Sequence, residues 1–396
     1  MTVNRTKRPE THSKPDMGNQ SSPTTLPPSR YVADSDAWAA CLRDLQVASR
    51  LAIDLEANSM FAYRERVCLI QVSTETTDYI IDPTQSIDLS GLGEIVANPA
   101  VEKVFHAAEY DLILMRRDYG WRLHNLFDTM WAVRILGYSQ MGLAGLLERF
   151  FSVQTSKRFQ KANWCRRPLS AAELAYAQMD THYLLPLRDR LAAELEAGGH
   201  ASEAAEIFRE QSDVRLPNNG FDPDGFWSLN GTLDLRPEQQ SVLKELYLFR
   251  DREAKRRNVP HFKVMGDRTL LETADKMPTS FSELADVHGM TKQQLQRYGR
   301  TMLGLIAGAR QTSPPKPPKR TPRPPEHVLN LYDRVHRWRK ARAQERGVES
   351  DVIISRDSLW SIAHANPQSI DELAALGALG PWRLETYGED ILRLLR

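Results

Sequence analysis

From residue 31 onward the chain alternates between short, dense apolar runs and longer stretches whose apolar residues recur with helical spacing. Four runs rich in β-branched residues predict strands: Leu51–Leu55, Val67–Ser73, Asp78–Ile81 and Val101–His106. The spacing predicts helices over Asp36–Ser49 and Ala107–Asp118, and after Asp128 the pattern is mostly helical to about Gly198. Strands first, with helices interleaved and then dominant, predict an α/β layered domain. A polar stretch, Asn218–Asp224, separates it from a remainder that reads as all helical.

That remainder repeats itself. A shift of 89 positions brings Arg250 onto Arg339, Leu270 onto Leu359, Pro278 onto Pro367, Glu283-Leu284 onto Glu372-Leu373 and Tyr298-Gly299 onto Tyr387-Gly388. The copies are joined by the basic, proline-rich stretch Ser313–Pro325, which predicts an extended, semi-rigid linker. Residues 1–30 are rich in Pro, Ser, Thr and basic residues and predict a disordered tail. The expected divisions are a tail over 1–30, an α/β domain over 31–225, and helical domains over 236–312 and 326–396 with the linker 313–325 between them.

Composition narrows the class without naming it. Apolar residues make up 41% of the 396, enough for two or three domains. Lys and Arg total 52 against 51 Asp and Glu, a net charge of +1, so any nucleic-acid contact has to rest on local patches. Cys41, Cys68 and Cys165 are odd in number and far apart, which argues against a disulfide framework or a zinc site and for a reducing compartment. No apolar run reaches the roughly 18 residues of a membrane span, and the N-terminus lacks a signal-peptide core. The expectation is a soluble cytoplasmic protein with no membrane and no obligate protein partner.

Five residues carry the candidate chemistry. Asp54 and Glu56 lie two apart on a predicted strand, so both side chains share one face. Two carboxylates side by side in an apolar strand are costly unless cations neutralise them. Asp111 falls in the first turn of a predicted helix. Tyr176 and Asp180, four apart, share a helix face. Each fragment also fits an ordinary solvated or half-buried acid. Jointly they describe a site for two divalent ions, Mg²⁺ or Mn²⁺, of the kind that hydrolyses phosphodiester bonds. Tyrosine is a poor base at its usual pKa of about 10, so Tyr176 is expected to aim the attacking water.

The three fragments resemble the exonuclease motifs of the DEDD superfamily, in the subclass with tyrosine in the third motif. Phe105-His-Ala-Ala, Phe127-Asp-Thr129 and Trp164-Cys-Arg-Arg-Pro-Leu169 are similar to the bacterial ribonuclease D family, and the two repeats to HRDC domains. The resemblance covers Tyr31 to Arg396 and all five motif positions are filled. It implies an α/β RNase H-like exonuclease domain, a mixed sheet flanked by helices, followed by two all-α HRDC-like domains. It implies metal-dependent hydrolysis of RNA from a free 3′ end to nucleoside 5′-monophosphates, with tRNA precursors as substrates. Asp54, Glu56, Asp111 and Asp180 then hold the metals.

Around this set, Gln71 and His106 are candidates for contacting the terminal ribose or phosphate; His106 reads equally as a core histidine. Trp164 reads as a stacking surface for a base or as core. Lys157, Arg158, Lys161, Arg166 and Arg167 form a basic cluster leading to Tyr176, expected to track phosphates, with Lys161 and Arg167 foremost. Phe61, Tyr63 and Arg64 are placed at the entrance, and Gly142–Phe151 is given no role. In the repeats, Arg250, Arg252, Lys255, Arg256 and Arg257, and then Arg334, Arg337, Arg339, Lys340, Arg342 and Arg346, are candidate contacts for an RNA backbone. The competing readings are a DNA 3′→5′ exonuclease and a noncatalytic RNA-binding protein. A helicase accessory rests on the repeats alone, and no phosphate-binding G-x-x-x-x-G-K-[ST] loop is present.

Overall fold

The computed structural model describes residues 26–217, 220–319 and 322–396. Six strands, β1 (Arg30–Val32), β2 (Arg50–Ala57), β3 (Val67–Ser73), β4 (Asp78–Ile81), β5 (Glu102–Phe105) and β6 (Leu126–Asp128), form one mixed sheet in the order β1-β4-β3-β2-β5-β6. β2 pairs antiparallel with β3 and parallel with β5. Central β3 is buried at every position, which is why its sequence is a continuous apolar run without alternation. Eight helices flank the sheet: α1 (Ser35–Gln46), α2 (Ser90–Ala97), α3 (Glu109–Tyr119), α4 (Thr129–Ile135), α5 (Leu143–Phe151), α6 (Ala171–His182), α7 (Leu184–Ala197) and α8 (Ala201–Ser212). The two strands the apolar pattern does not disclose, β1 and β6, are three-residue edge strands, too short for a periodic signal.

The repeat is structural. α9 (Pro237–Arg257), α10 (His261–Val264), α11 (Asp267–Lys276), α12 (Phe281–Ala285) and α13 (Lys292–Ala309) recur as α14 (Glu326–Arg346), α15 (Ser350–Ile353), α16 (Arg356–Ala365), α17 (Ile370–Ala375) and α18 (Pro381–Leu395). Even an interior bond is copied: Arg250 Nη1 donates to the Met265 carbonyl at 3.2 Å and Arg339 Nη1 to that of Ile354 at 2.9 Å. Among the described residues no helix is long and apolar enough to cross a membrane.

Both bundles dock on the α/β domain. Tyr63, from the segment after β2, joins the core of the first bundle, and its hydroxyl donates to Asp251 at 2.6 Å. The Lys263 ammonium lies 4.2 Å over the Phe61 ring. The second bundle is held by ion pairs, of which Arg383–Glu206 is buried on both sides. Arg346 meets Glu203 on α8 through two bonds of 2.6 and 2.9 Å, and Arg383 meets Glu206 at 3.1 Å and Glu210 at 2.8 Å. Glu206 also accepts from the Trp382 amide at 2.6 Å, so an acid of the α/β domain caps the last helix of the chain. A Cβ at Gly380 would stand 2.2 Å from the Glu206 carboxyl carbon, so a larger residue there would push that carboxylate off the Trp382 amide. Removing one partner of a buried ion pair strands the other, at about 3–5 kcal/mol. Because Glu210 would still hold Arg383, the double variant Glu206→Ala/Glu210→Ala is expected to release the second bundle, read as a larger radius of gyration in small-angle scattering and faster proteolysis of the second bundle; an unchanged radius would disprove the brace.

Four expectations are corrected here. Cys68 and Cys165 form a disulfide across 97 positions of sequence, because the packing of α6 on the sheet brings the loop before it against β3; sequence distance carried no sign of this. Of the tail over 1–30, residues 1–25 lie outside the described residues, as do Asn218, Asn219, Arg320 and Thr321, but Leu26–Ser29 are placed and Arg30 opens β1. Much of the repeat charge is paired with the protein's own groups: Arg250, Arg339 and Arg346 bond as above, Arg342 meets Asp390, Arg257 meets the Tyr298 hydroxyl, and Arg256 meets Glu253 at the surface. Arg252, Lys255, Arg256, Arg337 and Lys340 remain exposed. Tyr63 is a docking residue and not part of an entrance, since an aromatic flanked by polar residues suits either position.

Candidate active site

The site sits where α6 crosses β2, β3 and β4. A capping box starts that helix: Ser170 Oγ accepts from the Glu173 amide while Glu173 accepts from the Ser170 amide. Tyr176 and Asp180 follow one turn apart on the face toward β2, whose pleat presents Asp54 and Glu56 together. One carboxylate oxygen from each of Asp54, Glu56 and Asp180 lies within 4.8 Å of the others. Asp111, the third residue of α3, is buried beside them, close enough to act on the charges of Asp54 and Glu56, although it falls outside that tightest group.

Asp128, in Phe127-Asp-Thr129, holds the second motif in place, a role that its sequence setting does not mark. Its carboxylate accepts from the amides of Ala107, Ala108, Met130 and Trp131, at 2.8 to 3.2 Å. It thereby caps α4 and pins the turn from β5 into α3, where Ala107 takes the left-handed conformation at φ 63°. That turn aims Asp111 at the site.

Four acids in one enclosed space resist ionisation. Burial pushes the Asp54 carboxyl up to about 7. Burial and then the charges of Asp54, Asp180 and Asp111 push Glu56 up to about 10. Asp111 and Asp180 are raised well above the usual carboxylate range, first by burial and then by Asp54. Tyr176 is raised too, by burial and then by Asp180, so its phenol keeps its proton. Burial lowers His106 to about 4.

The donor set fits hard divalent cations: carboxylate oxygens from β2 and α6 lie within 4.8 Å of one another, and α3 adds Asp111 beside them. Gln71 adds a second sign. It stands opposite Asp54 in the β2–β3 ladder, is fully enclosed, and leaves both polar atoms of its amide without a partner among the described residues.

Several expected contacts with substrate do not survive. Gln71 at 0% exposure cannot touch a substrate, since the strand is covered on both faces. Trp164, 1% exposed, packs on Tyr176 with ring centroids 5.8 Å apart and so backs the tyrosine from the core. Arg167 is bound by both oxygens of buried Asp82 and by the carbonyls of Cys68 and Trp164, anchoring the loop to the sheet. Arg166 meets Glu173. Lys161 is exposed, and Lys157 and His106 line the cavity at the acids. This cavity, about 1270 Å³, is also walled by Leu26–Ser29 and by Gly142–Gly145 at the start of α5, a helix given no role from sequence because its amphipathic pattern reports only the buried face.

A family model described as 3′–5′ exonuclease matches residues 29–196, and one described as HRDC domain matches 239–306 and again 328–395. The exosome complex component 10 homolog of Caenorhabditis elegans is 35% identical over 63% of this chain and 29% of its own length. The chain thus spans less than half the length of the exosome relatives it matches. Ribonuclease D of Acidiphilium cryptum is 28% identical over 93% of this chain and 94% of its own. The crystal structure of Escherichia coli RNase D, described as an exoribonuclease involved in structured RNA processing, shares the fold with a TM-score of 0.65 over 93% of this chain and 98% of that one, at 24% identity.

Proposed function

We propose that the chain is a 3′–5′ exoribonuclease of ribonuclease D type that trims RNA 3′ ends to nucleoside 5′-monophosphates at the acidic cluster under α6, a reading supported by the exonuclease and HRDC matches and by the ribonuclease D relatives. The observation that carries the reading is the convergence of Asp54, Glu56 and Asp180 within 4.8 Å, with Asp111 beside them, in a cavity wide enough for a terminal nucleotide. Divalent metal dependence follows from the exonuclease domain. These four acids would hold two ions, Mg²⁺ or Mn²⁺, which when bound activate the attacking water and stabilise the leaving 3′ oxygen.

The remaining work falls to the chain's own groups. Tyr176, wedged between Phe159 and Trp164, presents a protonated hydroxyl beside Asp180 and orients the water for attack. Lys157 and Lys161 attract the incoming backbone. RNAs with 3′ extensions, tRNA precursors among them, are the proposed substrates.

A timed digest of a 5′-labelled RNA with a single-stranded 3′ end tests this, with Mg²⁺ and with EDTA, beside a deoxyribo-oligomer of the same sequence. A metal-dependent ladder shortening from the 3′ end of the RNA is expected; intact RNA in every lane despite binding would move the noncatalytic reading ahead. Tyr176→Phe is expected to lower kcat on the order of 10²-fold with KM nearly unchanged, because the hydroxyl acts on the attacking water and not on affinity. A rise in KM at constant kcat would assign it to binding instead.

A further inference from the structure

His106 directly follows β5 and enters the turn pinned by Asp128, so its ring is placed by the same device that places Asp111. Its Nδ1 is 2.9 Å from Thr129 Oγ1. Thr129 Oγ1 in turn donates to the Phe105 carbonyl at 3.0 Å. A threonine hydroxyl has one hydrogen. With that hydrogen spent on a carbonyl, and Thr129 fully buried away from water, the hydroxyl can only accept from the ring. Nδ1 therefore carries the proton, and Nε2 is left with a bare lone pair.

Nε2 has no hydrogen-bond partner among the described residues and is not one of the enclosed, unpartnered atoms, while His106 lines the cavity of the four acids. The ring is neutral at physiological pH, because burial holds it near 4. A neutral acceptor gains nothing from a phosphate, whose oxygens have no hydrogen to give. It needs a donor. At the 3′ end of a polynucleotide, next to the bond being broken, the donors present whatever the base are the sugar hydroxyls. A hard divalent ion is served better by the oxygens alongside.

We propose that His106 Nε2 accepts a hydrogen bond from a hydroxyl of the 3′-terminal ribose, which makes His106 the residue that reads the sugar. The proposal rests on the exonuclease reading above. Thr129 is its positioning residue, fixing the tautomer from behind.

The experiment compares kcat/KM on three oligoribonucleotides that differ only at the terminal sugar: ordinary ribose, 2′-deoxy and 3′-deoxy. It uses the full chain with Mg²⁺, as wild type, His106→Phe, His106→Gln and Thr129→Val, with a thermal melt of each. Wild type should lose on the order of tenfold on one deoxy end, the worth of a good buried hydrogen bond. His106→Phe should lose the same factor on ordinary RNA and show no further loss on that deoxy end. Gln, whose amide oxygen reaches the Nε2 position, should restore part of the discrimination, and Thr129→Val should erode it by freeing the ring. A wild-type ratio retained by His106→Phe on both deoxy ends overturns the proposal while leaving the exonuclease standing. If His106→Phe does not fold, discrimination retained by Thr129→Val together with its loss in Gln overturns it instead. No digestion by wild type sinks both readings.

Discussion

Asp54→Asn is expected to abolish turnover and, in the same preparation, to make the metal-free protein more stable. The activity loss should be 10³-fold or more, because Asp54 sits at the centre of the carboxylate group and a missing ligand charge is felt by everything bound there. The gain in stability has a separate cause. Without cations Asp54 must either ionise in an enclosed space against Glu56, Asp111 and Asp180 or keep its proton well above its usual pKa. A tenfold change in proton affinity is worth about 1.4 kcal/mol. Replacing the acid with its neutral isostere should recover on the order of 1–3 kcal/mol at pH 8 in EDTA, a rise of several degrees in Tm for a domain of this size. With Mg²⁺ the order should reverse, since wild type then gains binding energy that the variant lacks. Melting curves of both proteins in EDTA and in Mg²⁺ measure it. A variant less stable than wild type in EDTA would mean that Asp54 is a structural acid and not one of a set built for cations.

The acids could be found in the sequence because their setting is unfavourable without a ligand. Asp54 and Glu56 interrupt an apolar strand with period two, and no packing argument calls for that. The helices of the repeats were legible for the opposite reason: each must bury one face, so the same apolar spacing returns after 89 residues. What stayed hidden depends on where side chains go once the fold closes. Arg167 and Lys161 look alike in sequence, yet one is consumed by Asp82 and the other faces solvent. Trp164 and Gln71 lie near the site in sequence logic, yet the fold encloses both. Glu203, Glu206 and Arg383 carry no local pattern that marks the interface at which they pair. The Cys68–Cys165 bond joins residues that only the packing of α6 makes neighbours. Asp128 gives least sign of all: its four bonds are to backbone amides, which every sequence has.

The same crowding gives metal-free stability a steep dependence on pH. Asp54 titrates at its ordinary value when unfolded and near 7 when folded, so between those values the folded state holds the extra proton. Stability from that proton is complete below about 4 and is lost as pH rises through 7. Glu56 extends the loss upward, since its folded carboxyl keeps its proton to about 10. The Tm in EDTA should therefore fall between pH 5 and pH 9. Divalent cations bind the ionised set and compete with those protons, so Mg²⁺ should leave Tm nearly unchanged at pH 5 and raise it progressively above pH 7. The gap between the two curves reports the site directly, without any substrate. In Asp54→Asn the gap should shrink at every pH and the fall in EDTA should become shallower. A gap that is the same at pH 5 and pH 9 would mean that the four acids are not what binds the ion, and would remove the physical basis for placing the chemistry under α6.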